Sequence, residues 1–105
     1  MDSENRILVQ IKTIVCQYFP DADVILFGSR ARGDNTFNSD FDLLLVVKAS
    51  IGNRERLHYQ ALIRKTLTEN NILADIIIHS ASEIEIKRNL PGHIVISALL
   101  EGVRV

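Results

Sequence analysis

Apolar positions recur along this chain with a period that switches between that of a helix and that of a strand. Ile7, Ile11, Ile14, Val15 and Tyr18 fall at helical spacing, and Pro20-Asp21 closes that first helix. Val24-Ile25-Leu26-Phe27 is a β-branched and aromatic run ended by Gly28, which predicts a short buried strand. From Phe41 to Val47 the alternation puts Leu43, Leu45 and Val47 on one face and Asp42, Leu44 and Val46 on the other, a second strand. Tyr59, Leu62, Ile63, Thr66 and Leu67 predict an amphipathic helix over about 53–69, with Asn70-Asn71 as its stop. Residues 73–79 read as a third strand carrying Asp75. Ser82-Glu83-Ile84-Glu85 has capping-box spacing, so a short helix is expected to follow. Pro91 suits the first turn of a last helix running to about Leu100, with Gly102 at its C′ position, and 103–105 suits a short edge strand. This order of elements predicts an α/β (α+β) fold: a small mixed β-sheet flanked by helices, with residues 1–105 as a single domain.

Composition narrows the function classes. At 105 residues the chain has the size of one domain, roughly 100–150 residues being usual. Twelve Lys+Arg against 13 Asp+Glu give a formal net charge of -1, without the basic excess that non-specific nucleic-acid binding needs. The longest apolar run, Leu43 to Val47, is five residues, far below the ~20 of a membrane span. The first residues are polar and partly acidic, unlike a basic-then-apolar signal peptide. A single cysteine, Cys16, cannot form an internal disulfide and fits a reducing compartment. The expectation is a cytoplasmic domain with no membrane contact and no direct nucleic-acid binding.

The chemistry concentrates in Phe27-Gly28-Ser29-Arg30-Ala31-Arg32-Gly33-Asp34 and in Ser39-Asp40-Phe41-Asp42-Leu43. Gly28 and Ser29 follow a strand and precede a helix that has room for only about one turn before Gly33. Backbone N–H groups there are free, Gly28 lets a phosphate approach closely, and the Ser29 hydroxyl is a further donor. Asp40 and Asp42 alternate into a strand and so point to one face. Asp75 joins them if the second and third strands pair. Three convergent carboxylates repel one another unless a cation holds them. Hard oxygen ligands beside a phosphate cradle suit Mg²⁺, and two such ions clamping the attacking and leaving oxygens is the logic of phosphoryl and nucleotidyl transfer.

Gly28-Ser29, ten residues (30 to 39), then Asp40-Phe41-Asp42 resembles the signature of the DNA polymerase β-like nucleotidyltransferase superfamily. The fuller Phe-Gly-Ser-Arg-Ala-Arg-Gly and Ser-Asp-Phe-Asp-Leu strings are similar to its minimal nucleotidyltransferase (MNT) branch, and the likeness covers nearly the whole chain. The resemblance implies that Gly28 and Ser29 hold the nucleotide's β- and γ-phosphates and that Asp40 and Asp42 ligate two Mg²⁺. Asp75 then ligates the catalytic metal and helps deprotonate the attacking hydroxyl. Arg30 and Arg32 can add charge to the phosphates, and the motif does not fix which of them points inward. The implied reaction moves NMP from the donor, ATP, and releases pyrophosphate.

Weighed singly, these residues have plainer readings. Gly28-Ser29 can be an ordinary strand-to-helix turn, and Asp40 and Asp42 a cap and an edge charge. Asp75 is harder to dismiss, because a carboxylate buried in an apolar strand is costly. The three histidines are scattered, which favours surface or capping roles over metal binding; His79 ends the Asp75 strand and is not counted among the site residues. Cys16 suits a half-buried helix position, Arg54, Arg56, Arg64 and Lys65 a solvated helix face, and Lys87-Arg88 the end of a helix dipole.

About thirty residues (76 to 105) follow Asp75, too few for a separate acceptor domain. The acceptor is therefore expected on another molecule. Stand-alone members of the MNT branch are commonly antitoxins paired with an all-helical HEPN-domain RNase toxin, so the resemblance implies AMP transfer from ATP to a toxin tyrosine. Neutralisation by binding alone, and transfer to a small molecule across a homo-oligomer, remain the alternatives.

Overall fold

The computed structural model describes residues 3–105. The β-branched run after Pro20 forms strand β1 (Asp23–Phe27), and the alternating segment forms β2 (Phe41–Val47), paired antiparallel to β1. Between them lies one turn of helix, α2 (Ser29–Arg32). The first helix, α1, spans Ser3–Tyr18, and α3 spans Asn53–Glu69. α3 is the crossover that a parallel pairing requires, and it delivers β3 (Ala74–Ser80) alongside β2. Helices α4 (Ala81–Lys87) and α5 (Ile94–Glu101) follow, and β4 (Val103–Arg104) returns antiparallel to the free edge of β1. The sheet order is β3-β2-β1-β4, a mixed sheet as expected.

The alternation in β2 feeds two cores. Phe41, Leu43, Leu45 and Val47 pack with Ile11, Ile14 and Val15 of α1 and with Ile63 and Leu67 of α3. Leu44 faces the other way, among Phe27, Ile84, Val95 and Ala98 beneath α4 and α5. Leu43 and Leu45 are fully buried, each worth about 1.5–3 kcal/mol relative to exposure. Tyr59 ties the helices of the first layer together, its ring lying edge-on to those of Tyr18 and Phe19. Among the described residues no helix is long and apolar enough to cross a membrane.

Three helix ends differ from the sequence expectation. The capping box after β3 belongs to Ser80, one turn-start earlier than Ser82: the Ser80 hydroxyl accepts from the Glu83 amide and the Glu83 carboxylate accepts from the Ser80 amide. Ser80 wins because the strand delivers it in the extended conformation an N-cap requires. The last helix begins at Ile94 and not at Pro91, since the His93 side chain accepts from the Val95 amide and caps it. That is the capping role open to a scattered histidine. Gly102 ends the helix in an extended conformation, without the left-handed turn expected of a C′ glycine. What Gly102 supplies is space: a Cβ there would lie 2.1 Å from the Ala98 carbonyl oxygen and 2.4 Å from Ile25. At the end of α3, by contrast, Asn70-Asn71 is the stop, with Asn71 in the left-handed region that asparagine tolerates.

The cap assignment is testable by urea unfolding. Ser80→Ala is expected to cost about 1 kcal/mol and Ser82→Ala less than about 0.5 kcal/mol.

Candidate functional site

The antiparallel register of β1 and β2 sets Phe27 opposite Asp42, so the residue after the strand, Gly28, lands against the Asp42 side chain. A Cβ on Gly28 would lie 2.1 Å from Asp42 Oδ2, and Gly28 holds φ +74°, in the region that favours glycine. Both facts require glycine here. Ser29 then opens α2, and Gly33 closes it in the left-handed conformation with its N–H on the Ser29 carbonyl. On the other side of β2, the parallel register places Asp42 beside Asp75 of β3. Asp40 lies just before β2 and is exposed. The motif residues Gly28, Ser29, Asp40, Asp42 and Asp75 thus gather at one end of the sheet, where β1 ends and β2 and β3 begin.

Electrostatics set Asp42 apart from its neighbours. Burial raises its carboxyl above the ordinary aspartate value, and the charges of Asp75 and Asp40 add to that rise. Arg32 works in the opposite direction, and Glu101 adds a further anion. Asp75 differs from expectation: it is exposed, at the start of β3, the outer strand of the sheet. Asp75 therefore does not carry the cost of a buried carboxylate. An open groove of about 610 Å³ between α3 and β3 reaches Asp75, and a depression of about 500 Å³ reaches Asp40.

The two arginines of the motif divide their work. Arg30 donates from Nε to the Ser39 carbonyl at 2.9 Å, and its guanidinium lies 4.2 Å from the centroid of the Phe41 ring. It braces the loop that carries Asp40, and its guanidinium is engaged there. Arg32 stands at the turn itself, bound to Asp34 and to Glu101. Glu101, which the motif does not signal, accepts from the Gly28 N–H at 3.0 Å. No local pattern marks it, since it is simply the last residue of a helix that reaches the site through the fold.

Other candidates fall elsewhere. His79 is buried at the far end of β3 from Asp75, 3.6 Å from Glu83, and burial holds its ring below the ordinary histidine range. Arg56, expected on a solvated face, is instead half-buried and pairs with Glu83 at 2.6 Å. The pair joins α3 to α4, a contact that helix periodicity alone does not encode. Arg54, Arg64 and Lys65 are exposed, and Cys16 is half-buried as expected.

The donor set is all oxygen, which suits a hard divalent cation such as Mg²⁺. Among the described residues no group of three or more side chains stands ready to hold an ion. Asp42 next to Asp75 fits an ion that takes one or two carboxylates and draws its other oxygens from phosphate and water. A self-contained protein cage does not fit.

Fold and site together define a nucleotidyltransferase-type domain. The family model for the nucleotidyltransferase domain matches residues 8–105, and the chain belongs to that family. A candidate nucleotidyltransferase from Sulfolobus solfataricus is 32% identical, with 80% of this chain and 76% of that one covered and a TM-score of 0.50. A toxin–antitoxin structure with AMP-PNP has the same fold, with a TM-score of 0.62 at 18% identity over 98% of this chain and 72% of that one. So does a chain in the complex of tri-AMPylated Shewanella oneidensis HEPN toxin with MNT antitoxin, with a TM-score of 0.58 at 13% identity over 95% and 69% of the two chains. Comparison with curated proteins gives no match.

The raised Asp42 carboxyl has a consequence for stability in metal-free buffer. The folded state takes up a proton at higher pH than the unfolded chain does, so the ionised carboxylate destabilises the fold at neutral pH, and the penalty fades as pH falls through the folded value. Asp42→Asn is therefore expected to be more stable than the parent at pH 7 and to lose that advantage on acidification, as read from urea unfolding at a series of pH values.

Proposed function

We propose that this protein is an Mg²⁺-dependent protein adenylyltransferase that moves AMP from ATP to a tyrosine hydroxyl of a HEPN-domain toxin, and so acts as its antitoxin in the cytoplasm. The observation that carries the reading is the Gly28 turn held against Asp42, with Asp75 adjacent across the ladder. Two structures of this fold support the choice of donor and acceptor: one holds AMP-PNP, and the other pairs an MNT antitoxin with a tri-AMPylated HEPN toxin.

Gly28 presents its N–H to the β- and γ-phosphates with no side chain to obstruct them, and the Ser29 hydroxyl adds a donor. Asp40 and Asp42 would hold two Mg²⁺ ions, with Asp75 sharing the one nearer the acceptor. Mg²⁺, when bound, neutralises phosphate charge and steadies both the attacking and the leaving oxygen. Asp75, exposed on the edge strand, faces the side from which a bulky protein acceptor can approach, and its carboxylate takes the hydroxyl proton. The acceptor oxygen bonds to the α-phosphorus, the bond from that phosphorus to the bridging oxygen breaks, and pyrophosphate leaves. Arg30 holds the Asp40 loop in place through Ser39 and Phe41.

The test is incubation of the protein and its toxin with ATP labelled at the α-phosphate, in the presence of Mg²⁺. Label is expected on the toxin, and Asp42→Asn is expected to reduce its rate of appearance by about a hundredfold or more. Toxin silencing that persists with Asp42→Asn and without ATP would replace this reading with neutralisation by binding.

A further inference from the structure

The amide that the proposed reading assigns to phosphate is already engaged. Gly28 N–H donates to Glu101 Oε1 at 3.0 Å. Arg32 Nη1 donates to the same carboxylate, at 3.1 Å to Oε1 and 3.3 Å to Oε2. A backbone N–H and a guanidinium converging on one anionic oxygen form the donor pair that also suits a phosphate oxygen. Glu101 therefore satisfies, from within the chain, the donors a nucleotide would use.

The mounting of Glu101 favours exchange over permanent closure. Its backbone is fixed, because Gly102 wedges against Ala98 and Ile25 and the following strand pairs with β1. Arg104 pairs with Asp23, and the Val105 amide donates to the Val24 carbonyl at 2.8 Å, which closes that return. The side chain itself retains 27% of its exposure, so it can turn out to water without disturbing the helix. Charge argues the same way. Glu101 adds a negative group beside Asp42, Asp75 and Asp40, and a triphosphate entering that neighbourhood is repelled while Glu101 stays.

We propose that Glu101 is an internal substitute for phosphate: in the nucleotide-free protein its carboxylate occupies the Gly28 N–H and Arg32, and an incoming nucleotide must displace it. This rests on the nucleotidyltransferase reading of the turn and adds a residue that sets nucleotide affinity from outside the motif. Displacement also frees Arg32 Nη1 for the phosphates while Nε stays on Asp34, so one edge of the guanidinium is handed from Glu101 to the ligand. The last turn of α5 thereby reports on whether the turn is occupied.

The experiment compares the full chain with Glu101→Gln and Glu101→Ala. Affinity is measured by fluorescence polarisation with a ribose-labelled, non-hydrolysable ATP analogue and Mg²⁺. Both variants are expected to bind the analogue about five- to tenfold tighter than the parent. In the absence of nucleotide, the Gly28 amide resonance in a ¹⁵N–¹H spectrum is expected to move upfield in Glu101→Ala, which reads the contact without activity or ligand. Equal binding by all three proteins, weaker binding by the variants, or an unmoved Gly28 amide would overturn the proposal while leaving the nucleotide reading intact. Binding by none of the three would remove both. Unfolding curves for the variants matching the parent confirm that affinity, not folding, is compared.

Discussion

The close approach of Gly28 to the Asp42 carboxylate is the constraint on which the site depends. It exists because β1 and β2 pair antiparallel with Phe27 opposite Asp42, so the chain leaving β1 must pass over that side chain. Only a residue without a Cβ can make the passage, and only one tolerant of positive φ can then turn directly into α2. The glycine therefore answers to packing and to conformation at once. A one-residue slip in the register would turn Asp42 toward the α1–α3 core and Leu43 toward the site, exchanging a carboxylate for a leucine. The apolar alternation in β2 enforces the register, since Leu43 and Leu45 are buried completely.

Electrostatic crowding is the cost of that arrangement. Asp42 is partly desolvated beside Asp75 and Asp40, and its raised carboxyl records the strain of holding charge there. A cation beside the carboxylates would relieve that strain, as the proposed mechanism requires. Asp75 contributes differently. At the start of the edge strand it is exposed to water, while the more buried Asp42 sits under the turn. The two carboxylates are chemically distinct because one strand is inside the sheet and the other is at its edge.

Local pattern made much of this legible. The helix over 53–69 and the strand Phe41–Val47 follow from periodicity alone, because burial on one face repeats at a fixed interval. The Gly28-Ser29 and Asp40-x-Asp42 spacing located one end of the sheet, since a turn and a strand start leave little freedom between them. What escaped was decided by contacts distant in sequence. Ser80 and Ser82 both offer a hydroxyl, and the extended end of β3 selects Ser80. Arg56 reads as a surface cation until Glu83 of α4 packs against it. Asp75 reads as buried until the sheet order places its strand outermost. Arg30 and Arg32 stand two apart on a single helical turn, and only the tertiary positions of Phe41 and Glu101 separate their roles.

Strand β1 explains why a residue at the far end of the chain reaches the motif. One edge of β1 pairs with β2 and so carries Asp42; the other pairs with β4 and so anchors the segment containing Glu101. Gly28 sits where β1 ends, between two neighbouring strands' worth of chain, and meets a carboxylate from each side. The carboxylate from β2 is held fast by the ladder, while the one from α5 hangs on a helix end with its side chain partly in water. Two anions of similar chemistry thus differ in how readily they can move. In the proposed mechanism the fixed one would position an ion, and the movable one would yield its donor pair to phosphate.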